Sequence, residues 1–243
     1  DCGKTSASRQ TFVTGRAAEA AGRALRAKIL RMANVSESSL VSLEDDRIAI
    51  LENGVRHTIA LSTLRPDAFG YVLTAEETFD PPTTPLDENG QGSPYAVYGF
   101  GAHLAEVDVD FGLGTVKVRR IVAAHDVGCA INPTLLEGQI EGGVLQGLGL
   151  ALMEEFHPGR GENLHDYLIP TIGDAPQIKT ILIETPNSIG PFGAKGIGEQ
   201  ALIPTAPAIF NAIRHATGVV VRRAPATPDR LLAAIRQEAG RRA

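Results

Sequence analysis

The residues best suited to chemistry lie in Gly190-Pro-Phe-Gly-Ala-Lys-Gly-Ile-Gly-Glu199. Four of these ten residues are glycine, one is a lysine, and the stretch ends on a carboxylate ahead of an apolar run of helical character. Glycine at this density lets a backbone take positive φ and come close to a rigid group. A carboxylate just before a helix would sit near the positive end of its dipole, which favours the ionised form. The chemistry on offer is general-base work by Glu199; the plain alternative is a surface loop with a charged tip.

Two more stretches carry patterned polar groups. Residues 3–10, Gly-Lys-Thr-Ser-Ala-Ser-Arg-Gln, are small and hydroxyl-rich and precede a helical pattern. Ser and Thr at a helix start are first of all caps; the functional alternative is that free N–H and hydroxyl groups hold an anion such as a pyrophosphate. Between residues 133 and 155, Gln139, Gly142, Gly143, Gln146 and Gly149 recur at three- and four-residue spacings along one helix face. Each glycine costs a helix roughly 1 kcal/mol relative to Ala. Such a stripe therefore implies either close packing against another element or a large ligand held by Gln139 or Gln146. His165-Asp166 reads as a structural pair, because nothing else supplies a nucleophile.

The elements that must position these groups are legible in outline. A helix is predicted over 11–32, with Val13, Ala17, Ala21, Leu25 and Ile29 as its ridge. Residues 45–61 form a hairpin around Asn53-Gly54. The Pro-rich stretch 79–95 is irregular and the best internal boundary, dividing the chain into 1–95 and 96–243. A second hairpin spans 105–124, and Asn132-Pro133 caps a helix whose core ridge is Leu136, Ile140, Val144, Leu148 and Ala151. A strand over 178–184 feeds the Glu199 stretch. Helices over 205–217, stopped by Gly218, and 228–239 complete the chain. Clustered hairpins and long helices indicate an α+β fold of mixed layers rather than a regular βαβ series.

Composition narrows the function. The 243 residues suffice for one large domain or two small ones. Asp and Glu (28) outnumber Lys and Arg (23), which argues against a nucleic-acid partner. No apolar run is long enough to span a bilayer, and nothing at the N-terminus reads as a signal peptide. The two cysteines, Cys2 and Cys129, have no CxxC spacing. They cannot hold an iron–sulfur cluster or structural zinc alone, and they fit a reducing, cytoplasmic setting. No metal ligand is assigned. A generic nucleotide-binding protein is disfavoured, since there is neither a GxxxxGK[ST] motif nor a GxGxxG between strand and helix. The start at Asp1 rather than Met suggests a piece of a longer polypeptide.

Five segments in order resemble one family: Thr5-Ser-Ala-Ser-Arg-Gln-Thr11 with Val13-Thr-Gly15, Asp126-Val-Gly-Cys-Ala-Ile-Asn-Pro133, Glu137-Gly-Gln-Ile-Glu-Gly-Gly-Val-Leu-Gln-Gly147, Asp166-Tyr-Leu-Ile-Pro170, and Glu184-Thr-Pro186 through Glu199. Together they look like the second molybdenum-cofactor-binding domain of the xanthine dehydrogenase/aldehyde oxidase family of molybdenum hydroxylases. The resemblance covers nearly the whole chain, with 35–95 its least diagnostic part. It implies the fold of the C-terminal domain of the molybdenum hydroxylase large subunit. It also implies that Glu199 is the base taking a proton from a molybdenum-bound hydroxyl or water. Ser6, Ala7, Ser8, Arg9 and Gln10 would hold the cofactor's dinucleotide. Gln139, Lys195, Gly196, Ile197 and Gly198 would complete the cofactor contacts, with support of its own loop as the alternative role for Lys195.

The Ser-Arg-Gln variant looks bacterial and points to molybdopterin cytosine dinucleotide. The preceding cofactor domain and the 2Fe-2S and FAD components are absent, so these are expected on partner domains or subunits. The chain alone should not turn over: it is a fragment or a separately encoded subunit of a hetero-oligomer. The expected activity is oxidation of an N-heterocycle or aldehyde with water as oxygen source. The alternatives are a cofactor-free structural subunit, or part of a reductive relative acting on aromatic thioesters.

Overall fold

The computed structural model describes residues 3–242, so Cys2 lies outside the described residues. The described residues form two compact units, one comprising residues 10–96 with Gly3 and the other residues 4–9 and 97–242.

The first unit contains helix α1 (Gln10–Ala33) and an antiparallel sheet of β1 (Leu40–Glu44), β2 (Arg47–Glu52) and β3 (Val55–Ala60), in that order. Asn53 and Gly54 both take positive φ (48° and 83°), as a two-residue hairpin turn with the twist of its strands requires. Ile29 and Leu30 of α1 pack with Ile48 and Ile50 of β2 into a small core. Strand β1, not expected from the sequence, is the edge partner of β2.

The second unit is built on a mixed three-stranded sheet of order β4 (Gly101–Val109), β5 (Val116–Asp126), β6 (Gln177–Ile183). Strands β4 and β5 are antiparallel across the Asp110–Thr115 turn, whereas β6 runs parallel to β5. Parallel neighbours need a long crossover, and α2 (Pro133–Leu152) lies within it. Asn132 caps α2 by accepting from Leu135 N at 3.1 Å, followed by Pro133 at the first helical position. Helices α3 (Thr205–Thr217) and α4 (Pro228–Arg242) follow, α3 ending on Gly218 at φ 79°. Ile121, Ile140, Val144, Ile209, Ile213 and Leu231 form the core of this unit. No helix among the described residues is long and apolar enough to cross a membrane.

Candidate active-site cradle

The Gly-rich stretch is held against the end of β5. Lys195 N donates to Val127 O at 2.9 Å, and Cys129 N donates to Gly193 O at 2.9 Å. Gly128, at φ 67°, permits this approach, since a Cβ there would lie 2.3 Å from Gly193 O. Lys195 occupies a different place from the one expected of a cofactor ligand. Its ammonium donates to Asp126 Oδ2 at 2.6 Å and to Tyr98 O at 3.0 Å. The two charged side chains are only 8% and 10% exposed, so Lys195 spends its charge inside the protein. Burial alone would raise the Asp126 carboxyl, but Lys195 and the Gly128 N–H hold it below the usual carboxylate value.

Three motifs distant in sequence meet on the far side of this anchor. Residues 6–9 form a tight turn in which Arg9 N donates to Ser6 O at 3.3 Å while Ala7 and Ser8 take φ 54° and 56°. Two successive non-glycine residues at positive φ are strained, at roughly 1–2 kcal/mol each, and such strain persists only where neighbours enforce it. Here Glu199 N donates to Ser8 Oγ at 2.7 Å. Gly196 lies so close to Ser8 that a Cβ would be 1.9 Å from the Ser8 carbonyl oxygen. From the third motif, Gln139 Nε2 donates to Gly198 O at 2.8 Å.

Helix α2 sets the register of this meeting. Gln139, Gly143 and Gly147 follow one another at four-residue intervals along one face. They meet Gly198, Ala201 and Thr205 in turn: a Cβ on Gly143 would be 2.7 Å from Ala201 Cβ, and one on Gly147 would be 2.4 Å from Thr205 Cβ. The stripe expected from the sequence thus divides. Gly143 and Gly149 are buried packing positions, whereas Gly142 has nothing within 4 Å of its Cβ position and Gln146 is exposed.

Other expected residues distribute as follows. Ile197 is 8% exposed and its side chain belongs to the hydrophobic core, leaving only its backbone for contacts. Gln10 opens α1 in the first unit, where its Oε1 accepts from Thr14 Oγ1 at 2.7 Å. Glu199 is exposed, and the helix-dipole expectation fails: residues 199–204 are turns, Leu202 N donates to Glu199 O, and α3 starts only at Thr205. His165 and Asp166 do not pair with each other; Asn163 bonds to each of them.

The donor set suits a phosphorylated ligand. Ser8 Oγ accepts from Glu199 N, which leaves its own O–H free to donate. The Arg9 guanidinium has no carboxylate partner among the described residues. Among the described residues no group of three or more His, Cys, Asp or Glu could hold a metal ion, so a metal here would need ligands from elsewhere. Sequence reasoning missed Asp126 as the Lys195 partner, and it missed His103, His125 and Thr205, which form a partly buried hydrogen-bonded chain beside the turn. Asp126 stands inside a motif and could have been suspected; the histidines carry no local signal.

Comparisons with known proteins converge. A family model described as molybdopterin cofactor-binding domain matches residues 1–176. A xanthine dehydrogenase molybdenum-binding subunit of Escherichia coli O157:H7 is 35% identical over 93% of this chain and 30% of its own length. The nicotine 6-hydroxylase large subunit of Paenarthrobacter nicotinovorans is 32% identical over 95% of this chain and 29% of its own length. Among solved structures, an aldehyde oxidoreductase from Desulfovibrio gigas superposes with a TM-score of 0.76 at 30% identity, covering 96% of this chain and 24% of that one. CO dehydrogenase from Oligotropha carboxidovorans gives 0.74 at 26% identity, over 98% of this chain and 30% of that one. The chain therefore spans less than a third of the length of these relatives.

Proposed function

Because this chain belongs to the xanthine dehydrogenase/aldehyde oxidase family as a molybdenum-cofactor-binding domain, we propose that it holds the dinucleotide end of the cofactor and supplies the base of a molybdenum hydroxylase. The observation that carries this reading is the meeting of Ser8, Gln139 and Gly196–Glu199, three motifs drawn together across as many as 191 residues.

When bound, the molybdenum cofactor supplies Lewis-acid activation of water and accepts the electrons of the oxidation. Residues of this chain do the rest. The hydroxyls of Ser6 and Ser8 and the backbone of the 6–9 turn bind pyrophosphate oxygens, with Arg9 as charge partner. Gln139 holds the Gly198 carbonyl and so orients the peptide just before the base. Glu199 takes up the proton released as water attacks the substrate carbon. A carboxylate suits this task if it lies within hydrogen-bond reach of that proton. Glycines at 196 and 198 keep the approach narrow.

The nucleotide is read as cytosine dinucleotide from the Ser-Arg-Gln variant. The substrate class is an N-heterocycle or aldehyde, in keeping with relatives named for xanthine, nicotine and aldehydes. Electrons leave through iron–sulfur and flavin partners. The assembled enzyme, analysed for molybdenum and for CMP released on hydrolysis, should contain both. Glu199→Gln should keep both while turnover falls on the order of 10²–10⁴-fold. An intact assembly lacking molybdenum or CMP would overturn the proposal, and normal turnover in Glu199→Gln would remove Glu199 from the mechanism.

A further inference from the structure

His125 and Asp126, the last two residues of β5, hold the chain on either side of Glu199, residues 195–205, at three points. Asp126 accepts from Lys195 Nζ at 2.6 Å and, through its carbonyl, from Gln200 Nε2 at 3.1 Å. The third link uses side chains with no part in the chemistry above. His125 Nε2 and His103 Nε2 lie 2.7 Å apart, and His103 Nδ1 lies 3.0 Å from Thr205 Oγ1. His125 and Thr205 are fully buried. The imidazoles meet edge to face with centroids 4.9 Å apart. Glycine at 101 makes the room, since a Cβ there would lie 2.6 Å from the His125 ring.

Proton counting gives this chain a direction. A contact between two ring nitrogens at hydrogen-bond distance holds a single proton, so one ring donates and the other accepts. Burial, and then the neighbouring His125, push His103 down to about 4; burial likewise lowers His125. Both rings are therefore neutral near pH 7. If His103 donated, neutral His125 would carry its proton on Nδ1, which is buried without a partner among the described residues. An orphaned buried N–H is the rarer and costlier arrangement. The favoured tautomers have His125 Nε2–H donating to His103 and His103 Nδ1–H donating to Thr205 Oγ1. The carboxylate next in sequence to His125, Asp126, is already met by Lys195.

We propose that His125, His103 and Thr205 form a directional clasp that, together with Gln200 on Asp126, fixes both ends of the 199–204 turn and so positions Glu199. The fixing of the turn stands on geometry; its value for catalysis rests on Glu199 being the base.

The test compares Thr205→Val, which keeps shape but loses the hydroxyl, with Thr205→Ser, which keeps the hydroxyl, in the assembled enzyme. Amide hydrogen exchange across 198–205 should quicken about five- to tenfold in Thr205→Val, as for the loss of one net hydrogen bond. In Thr205→Ser it should stay within about twofold of wild type. With molybdenum and CMP content unchanged, kcat should fall about tenfold in Thr205→Val at constant KM, and Thr205→Ser should rescue it. Nitrogen NMR of ¹⁵N-histidine protein should show His103 protonated on Nδ1 and His125 bare there. Unchanged exchange in Thr205→Val, quicker exchange with unchanged kcat, or a protonated His125 Nδ1 would each overturn the proposal. The exchange readout needs no turnover, so absence of molybdenum would sink the proposed function and leave this test intact.

Discussion

Gly196→Ala isolates the contact between the 6–9 turn and the Gly196–Glu199 loop. Gly196 does not sit at positive φ, so alanine brings no backbone strain, only atoms. Its Cβ would lie 1.9 Å from Ser8 O and 3.0 Å from Ser8 C. Ordinary nonbonded separations are about 3.5 Å, so the 6–9 turn must retreat by about 1.5 Å. That retreat is enough to break the 2.7 Å hydrogen bond from Glu199 N to Ser8 Oγ. Overpacking costs about 1–3 kcal/mol and the lost hydrogen bond about 1 kcal/mol. Residues 4–9 contribute no side chain to either hydrophobic core, so most of that cost should appear as local opening. Gly198→Ala is the control, since its Cβ would meet Ser8 Oγ at 3.4 Å, an ordinary contact. Hydrogen exchange over 4–12 and 196–204 should rise at least tenfold in Gly196→Ala and little in Gly198→Ala. Cofactor retention through gel filtration should follow the same order. Equal behaviour of the two variants, or wild-type exchange in Gly196→Ala, would refute the contact.

Two further predictions concern what lies beneath the site. Lys195→Met leaves the Asp126 carboxylate buried and unpaired, at a cost of about 3–5 kcal/mol, or a fall in melting temperature of roughly 6–20 °C for a protein of this size. Asp126→Asn should do similar damage, and the double variant should recover part of it; a double variant no better than the sum of the singles would refute the pair. For pH, His103 is neutral in the fold down to about 4, against 6.5 when unfolded. The unfolded state therefore binds the extra proton first, and stability present above pH 6.5 drains away as pH falls towards 4. The loss should be about 1–2 kcal/mol once solvent screening is allowed for, and His125 adds in the same direction. The lowered Asp126 carboxyl acts only below its ordinary value of 3.8. Urea unfolding between pH 7.5 and 4.5 should show this slope in wild type and a flatter one in His103→Gln; parallel slopes would count against it.

What was legible in the sequence was local. The Asn53-Gly54 hairpin, the Asn132 cap and the Gly218 stop each depend on a few adjacent residues, and each appears where its pattern predicts. Strand β1 escaped because Leu40 and Leu43 are 68% and 72% exposed on an edge, so burial imposed no alternation on it. The parallel pairing of β6, the Lys195–Asp126 ion pair and the histidine chain escaped because their partners are far apart, and spacing says nothing about such pairs. The Gly stripe of α2 is the instructive case. Packing and ligand binding stood as rival explanations, and the structure sets glycine packing and a hydrogen bond from Gln139 in one row. Gly143 and Gly147 let the 199–204 turn lie on the helix backbone. Only because that turn lies so close can Gln139, one step further along the same row, reach the carbonyl of Gly198. Glycine in α2 weakens the helix by roughly 1 kcal/mol per residue, and the return is the placement of Glu199. A substitution at Gly143 should therefore disturb the position of Glu199 as much as the core, although it touches neither the 6–9 turn nor Glu199 itself.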